Sequence, residues 1–149
     1  MKKKVVLLVE DNPDDEMLAL RAFRKNGIMN EVIVARDGAE ALDYILATGQ
    51  YVGRPYRKMP ELILLDLNLP KVDGLEVLSR LQADERTRHL PVVVLSSSDE
   101  ERDIMESYKR GANSYIRKPV DFREFSKAMH HLGQYWLAWN IAPPLKAGI

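Results

Sequence analysis

Residues 62–76 read Leu62-Ile63-Leu64-Leu65-Asp66-Leu67-Asn68-Leu69-Pro70-Lys71-Val72-Asp73-Gly74-Leu75-Glu76. The opening run, Leu62–Leu65, is unbroken aliphatic sequence, the pattern of a strand buried on both faces beneath helices. Asp66 ends it. Asp73 then stands three residues before Glu76, a capping box that opens a helix. The stretch therefore predicts a strand, an acid at its carboxyl end, and a helix. The same grammar repeats outward in both directions. Val5–Val9 precedes Glu10-Asp11 and Asn12-Pro13, with proline at the first helical position. Val32–Ala35 precedes Asp37 and Glu40, Val92–Leu95 precedes Ser96 with Ser98 and Glu101, and the weaker run Ser114–Arg117 precedes Lys118-Pro119 with Asp121 and Glu124. Between the runs lie helical patterns, with Met17, Leu18, Leu20, Ala22 and Phe23 on one apolar side and Ala39, Leu42, Ile45 and Leu46 on another. Five strands alternating with five helices predict an α/β fold, (βα)5, a doubly wound parallel five-stranded sheet with right-handed crossovers.

The 149-residue length fits one domain with a single core. The chain carries 22 Lys+Arg and 22 Asp+Glu, a formal net charge of zero, which speaks against a nucleic-acid-binding domain. With no cysteine, disulfides, zinc–cysteine sites and thiol catalysis are excluded. No apolar run approaches the roughly 20 residues that span a bilayer. The basic start, Met1 to Lys4, is followed by an apolar run that stops at Glu10, too early for a signal peptide. No membrane association and a cytoplasmic location are expected. Two stretches fall outside the repeating pattern. Thr48–Met59 is a long connection containing Gly49, Gly53 and Pro55, and the last helix is expected to run on through Leu132, Tyr135, Trp136 and Trp139, with Gly133 as a possible break and Pro143-Pro144 as the stop.

Neutral overall charge conceals a local excess: residues 10–16 hold five acids and no base. In folds of this kind ligands sit beyond the carboxyl ends of the strands, at the switch point in strand order. With the order 2-1-3-4-5, the ends of the first and third strands are neighbours, and Glu10, Asp11 and Asp66 converge. Three clustered carboxylates repel one another, so the cluster needs a proton or a cation. Oxygen ligands with no histidine or cysteine suit Mg2+ better than zinc. Ser96 and Lys118 end the fourth and fifth strands on the same edge. Metal, ammonium and hydroxyl would each take one oxygen of a transferring phosphoryl group, with the central Asp66 as nucleophile. Singly, each residue has an ordinary reading: a helix cap for Asp11, turn chemistry for Ser96, a solvated side chain for Lys118. At successive strand ends and in this order, the set is far less expected by chance.

These residues resemble the receiver domains of two-component response regulators. The matching motifs are Val9-Glu10-Asp11-Asn12-Pro13, Leu64-Leu65-Asp66-Leu67-Asn68-Leu69-Pro70, Asp73-Gly74, Leu95-Ser96-Ser97-Ser98, Gly111-Ala112 and Lys118-Pro119, spanning residues 4 to about 130. The resemblance implies a flavodoxin-like fold in which Asp66 accepts a phosphoryl group from a histidine kinase or phosphotransfer protein. It implies that Glu10, Asp11, Asp66 and the main-chain carbonyl of Asn68 hold Mg2+, that Ser96 and Lys118 bind phosphoryl oxygens, and that Tyr115 is the switch aromatic. Asn68 and Ser98 are expected to tune hydrolysis of the acyl phosphate. Ser96 stands where threonine is commoner, Glu10 where aspartate is commoner, and the Thr48–Met59 connection is longer than usual. Residues 1–131 are expected to form the receiver and 132–149 a C-terminal extension of its last helix and a tail, with no output domain. The long connection and the aromatic segment Tyr135-Trp136-Leu137-Ala138-Trp139 resemble single-domain regulators of cyanobacterial phytochrome-type kinases.

Four other readings fare worse. A haloacid-dehalogenase-like Mg2+ phosphatase needs an acid two residues after the nucleophile, and that position is Asn68. Flavin binding wants a neutral loop after the first strand, and dinucleotide binding wants a glycine-rich one. A degenerate receiver acting as scaffold would not need an intact Asp66 and Lys118. Ser98–Arg110, Asn113–Lys118 and Asp121–Lys127 should form one face from the fourth helix to the fifth, with mixed charge. Opposite charges pairing about a two-fold axis, with the aromatic tail, predict a homodimer through this face.

Overall fold

The computed structural model describes residues 5–28, 30–55 and 58–143. Five strands, β1 (Val5–Val9), β2 (Glu31–Ala35), β3 (Leu62–Leu65), β4 (Val92–Ser96) and β5 (Ser114–Arg117), form one parallel sheet in the order β2-β1-β3-β4-β5. Helices α1 (Pro13–Lys25), α2 (Gly38–Leu46), α3 (Gly74–Ala83), α4 (Glu101–Lys109) and α5 (Phe122–Gly133) alternate with them. The pairing sets Val9 beside both Ala35 and Leu65, and Leu65 beside Val94. The second, first and third strands thus end level with one another, and the fourth continues two residues further, to Ser96.

Strand side chains alternate between faces, which divides the aliphatic runs into two cores. Leu7, Val9, Ile63, Leu65, Val92 and Val94 pack with the buried residues of α2 and α3. Val6, Leu8, Leu62, Leu64, Val93 and Leu95 pack with Ala19, Ala22 and Phe23 of α1 and Phe125, Met129 and Leu132 of α5. All five residues of β1 and of β4 are buried, as unbroken apolar runs require. Asn26 at the end of α1 donates from Nδ2 to the Ser126 carbonyl (3.0 Å), tying α1 to α5.

Helix starts follow the expected chemistry at four of the five positions. Asn12 accepts from the N–H groups of Asp14 and Asp15, Asp37 from Glu40, Asp73 from Glu76, and Asp121 from Arg123. The fourth helix departs from it. Its N-cap is Glu100, which makes no side-chain cap, and Ser98 is committed to other partners. The apolar side expected on α1 also needs correction. Met17 is 64% exposed and Leu18 is 38% exposed, while Ala19, Ala22 and Phe23 face the core.

The Thr48–Met59 connection folds onto α2 where it is described; Tyr56 and Arg57 lie outside the described residues. A short 3-10 turn, Gly49–Tyr51, sets the Tyr51 ring edge-on to Tyr44 at 5.0 Å. Arg54 donates to the carbonyls of Tyr44 (2.6 Å) and Ile45 (3.0 Å), satisfying the orphan end of α2. At the other terminus the chain runs through Gly133 without a break and continues as a π-helical segment, Gln134–Trp139. That segment ends at Asn140, before Pro143, so the proline pair is not its stop; Pro144 lies outside the described residues. Trp136 and Leu137 pack on the α1–α5 core, whereas Trp139 is 80% exposed.

Candidate functional site

The level ends of β1 and β3 deliver Glu10 and Asp66 side by side. Asp66 N–H donates to the Val9 carbonyl (3.1 Å) and Glu10 N–H to the Ala35 carbonyl (2.9 Å), so both acids are held by the continuing ladder. Their side chains are buried, while Asp11, one residue further on, is exposed. One carboxylate oxygen from each of Glu10, Asp11 and Asp66 lies within 4.8 Å of the others. These are hard oxygen donors, and the set contains no histidine or cysteine, which fits a divalent cation of the Mg2+ type.

Lys118 enters from the end of β5. Its N–H donates to the Ser96 carbonyl (2.7 Å), which directs the side chain across the sheet edge. Nζ reaches Glu10 Oε1 at 2.6 Å, Asp15 Oδ2 at 3.0 Å and Asp66 Oδ2 at 3.2 Å. Burial disfavours a lysine charge, but these carboxylates outweigh it and hold Lys118 above its ordinary range. Glu10 moves the other way from a normal acid. Burial, and repulsion from Asp66, push it up to about 7 against the pull of Lys118. One ammonium shared among crowded carboxylates leaves the site short of positive charge, which is the condition under which a cation binds.

The loop after β3 is built around Asp66. Asn68 N–H donates to Asp66 Oδ1 (3.1 Å), and Gly74 N–H donates to the Leu67 carbonyl (2.9 Å). Gly74 must be glycine: a Cβ there would lie 2.5 Å from the Asp66 carbonyl oxygen and 2.6 Å from Leu67 Cα. The start of α3 is thereby pressed against the main chain of the central acid. Asn12 N–H donates to Glu10 Oε2 (3.2 Å) and so fixes the other acid.

A cleft of about 450 Å3 opens beside these groups, lined among others by Asp11, Asn68, Ser96 and Asp103. Ser96 is fully buried and its Oγ accepts the Ser98 N–H at 3.1 Å. Tyr115, on β5, is half-buried against the α2–α3 core, and its hydroxyl donates to the Ser98 carbonyl (2.8 Å). The expected residues therefore fall into two connected groups. Glu10, Asp11, Asp66 and Lys118 form the charged centre, and Ser96 and Tyr115 meet through Ser98. Asn68 touches the centre through its N–H.

Asp15 was not among the expected site residues. It lies in the first turn of α1, where an acid is ordinarily read as complementing the helix dipole. The signal was its place in the acidic run 10–16, which brings the first turn of α1 over the strand ends. For Ser98 the sequence suggests a helix cap and a place beside the acyl phosphate, but nothing in it signals the junction that Ser98 makes between Ser96 and Tyr115.

The family model for the response regulator receiver domain matches residues 6–130. The chain is 43% identical over 139 residues to the probable methanogenesis regulatory protein FilR2 of Methanothrix harundinacea, covering 93% of this chain and 87% of FilR2. It is 38% identical over 140 residues to the response regulator Rcp1 of Synechocystis sp., covering 94% of this chain and 93% of Rcp1. The solved Mn(2+)-bound form of Rcp1 superposes with a TM-score of 0.86, covering 95% of this chain and 99% of that structure. The phosphorylated cyanobacterial phytochrome response regulator RcpA superposes with a TM-score of 0.88 at 39% identity, covering 95% of this chain and 99% of that one. Among the described residues no helix is long and apolar enough to cross a membrane.

Proposed function

The chain belongs to the response regulator receiver domains, the phosphoacceptor switches of two-component signalling, and from that membership we propose that Asp66 is the acceptor and Glu10, Asp11, Asp66 and the Asn68 carbonyl hold Mg2+. A carboxylate oxygen of Asp66 attacks the phosphorus of a phosphohistidine on the kinase. The P–N bond breaks, and the phosphoryl group becomes a mixed anhydride on Asp66. Mg2+ held by Glu10, Asp11, Asp66 and the Asn68 carbonyl would supply positive charge to offset that of the phosphoryl oxygens. Lys118 contributes a fixed ammonium already held 3.2 Å from Asp66 Oδ2. Ser96 contributes a hydroxyl from a fully buried position on the cleft. The single observation that carries this reading is the convergence of the three acids within 4.8 Å.

One feature favours a phosphoacceptor over a phosphatase: the residue that would have to serve as general acid is Asn68, whose side-chain carboxamide has no titratable proton to give a leaving group. Similarity to Rcp1 and RcpA supports a phytochrome-type histidine kinase as the donor. We assign residues 1–131 to the receiver and 132–149 to a C-terminal extension of its last helix and a tail, and place the protein in the cytoplasm. For the signalling surface we propose a homodimer through α4, β5 and α5 with the aromatic tail. Met105 and Tyr108 of α4 are 68% and 49% exposed, and Tyr135 and Trp139 lie open at the end of the chain's last helix.

The decisive experiment supplies a small acyl-phosphate donor and millimolar Mg2+ and follows intact mass. One phosphoryl group should appear on the wild type, vanish with Mg2+ chelation and be absent from Asp66→Asn. Labelling of Asp66→Asn at the wild-type rate would place the acceptor elsewhere.

A further inference from the structure

Ser98 is tied at every polar atom it has. Its N–H donates to Ser96 Oγ (3.1 Å), and its carbonyl accepts the Tyr115 hydroxyl (2.8 Å). Its hydroxyl donates to Asp103 Oδ2 at 2.6 Å and accepts the Glu100 N–H at 3.2 Å. The flanking residues Ser97, Asp99 and Glu100 are exposed. This connection between β4 and α4 thus has little buried surface of its own and is held in place through Ser98. Of the four bonds, the one to Asp103 is charge-assisted and the shortest, the class worth most.

Asp103 is a firm anchor. It sits in the first turn of α4, and its own main-chain carbonyl accepts the hydroxyl of the fully buried Ser107 at 2.8 Å. It also lines the cleft that Ser96 lines. The chain of bonds therefore runs from α4 to Asp103, to Ser98, to Ser96.

The consequence for Ser96 follows from hydroxyl chemistry. A serine hydroxyl has one proton and two lone pairs. In Ser96 a main-chain N–H occupies one lone pair, which orients Oγ and leaves its proton for an acceptor in the cleft. A donor oriented in advance stabilises transition-state charge without reorganising, and its value lies in that prior placement. We propose that Asp103 is a positioning residue for phosphoryl transfer: by fixing Ser98 it holds the Ser96 hydroxyl as a donor toward the phosphoryl group. The inference rests on the reading of Asp66 as phosphoacceptor.

The same phosphoryl oxygens carry charge when the group arrives and when water removes it, so loosening Ser96 should slow both steps together. The test follows phosphorylation from a small acyl-phosphate donor at saturating Mg2+, loss of label afterwards, and Mg2+ affinity by calorimetry. Asp103→Ala should slow both steps by about tenfold, less than the roughly 100-fold or more lost when a placed donor is deleted outright. Mg2+ affinity should stay at the wild-type value. Asp103→Asn retains an acceptor for Ser98 and should restore both rates to within about threefold, and Ser98→Ala, which leaves Asp103 in place, should reproduce Asp103→Ala. In a Ser96→Ala background, Asp103→Ala should add nothing. Additive effects of those two changes would overturn the inference, as would Asp103→Asn being as slow as Asp103→Ala, which would make charge the cause. Wild-type rates in Asp103→Ala would overturn it while leaving the phosphoacceptor reading intact. A wild-type protein that takes no label on Asp66 would remove that reading and the inference with it.

Discussion

Lys118 Nζ lies 2.6 Å from Glu10 Oε1, joining the end of the last strand to the end of the first across 108 positions of sequence. The same nitrogen reaches Asp66 and Asp15, so a single ammonium closes the acidic edge of the sheet. A centre built this way is held by charge as much as by packing, and its stability should respond to substitution, pH and cations.

Lys118→Met removes the ammonium and leaves Glu10 and Asp66 buried without a counter-charge. Deleting one partner of a buried pair typically costs about 3–5 kcal/mol. Proton uptake by Glu10 will relieve part of this, so a loss of about 2–4 kcal/mol at neutral pH is expected. Urea unfolding measures it. Millimolar Mg2+ should recover more stability in the variant than in the wild type, because a cation binding only the native state substitutes for the missing charge. Equal recovery in the two proteins would count against the shared site.

The raised pKa of Glu10 predicts an inverted pH dependence in metal-free solution. Folded Glu10 titrates at about 7 and the unfolded side chain near the ordinary value of 4.5. Between those values the folded state holds more protons than the unfolded state. Its contribution to stability is therefore complete below about 4.5 and lost as pH rises toward 7. Thermal melts in chelator across that window should fall with pH, and Glu10→Gln should flatten the slope. Saturating Mg2+, which favours the ionised acid, should flatten it too. A metal-free melting temperature that climbs across the window in wild type, with no change in Glu10→Gln, would reject the assignment.

Gly74→Ala forces a methyl group against the Asp66 carbonyl and Leu67 Cα, both main-chain atoms that cannot swing aside. Overpacking of this kind costs about 1–3 kcal/mol. The displaced backbone carries Asp66, so Mg2+ affinity and phosphorylation should fall together with stability. A variant that loses stability but keeps wild-type Mg2+ affinity would show that the start of α3 does not position the acid.

The two tryptophans should separate. Trp136 packs on the α1–α5 core, and Trp136→Ala should lower stability by about 2–3 kcal/mol with assembly state unchanged. Trp139 is 80% exposed, and Trp139→Ala should leave stability within about 0.5 kcal/mol while weakening any dimer. Sedimentation velocity and urea melts on both variants distinguish these outcomes. An unchanged mass for Trp139→Ala in a dimeric parent would remove the tail from the interface.

Much of this was legible from the chain alone. Unbroken runs such as Leu62–Leu65 and Val92–Leu95 announce strands buried on both faces, because no amphipathic element can use apolar residues at every position. Asp37, Asp73 and Asn12 announce helix starts because a short side-chain acceptor satisfies N–H groups that the helix itself leaves open. Once the strands are parallel, their carboxyl ends share one edge, and Glu10, Asp11, Asp66, Ser96 and Lys118 must gather there. Local chemistry and topology are enough for that much.

Tertiary structure alone decided the rest. Met17 and Leu18 are as apolar as Ala19 and Phe23, yet α5 packs on the side of α1 that carries Ala19, Ala22 and Phe23, which leaves Met17 on the opposite side and Leu18 at the flank. Ser98 has the composition of a helix cap, but α4 begins only at Glu101, so the Ser98 hydroxyl accepts the Glu100 N–H just outside the helix while its proton goes to Asp103. Trp136 and Trp139 stand three residues apart on what a regular helix would make one face. The π-helical segment alters that spacing and sends one ring to the core and the other to solvent. Asp15 joins Lys118 only because the first turn of α1 lies over the ends of the strands. Sequence periodicity states which residues share a side of an element. Which side is buried, and which polar groups meet, depends on neighbours that come together only when the chain has folded.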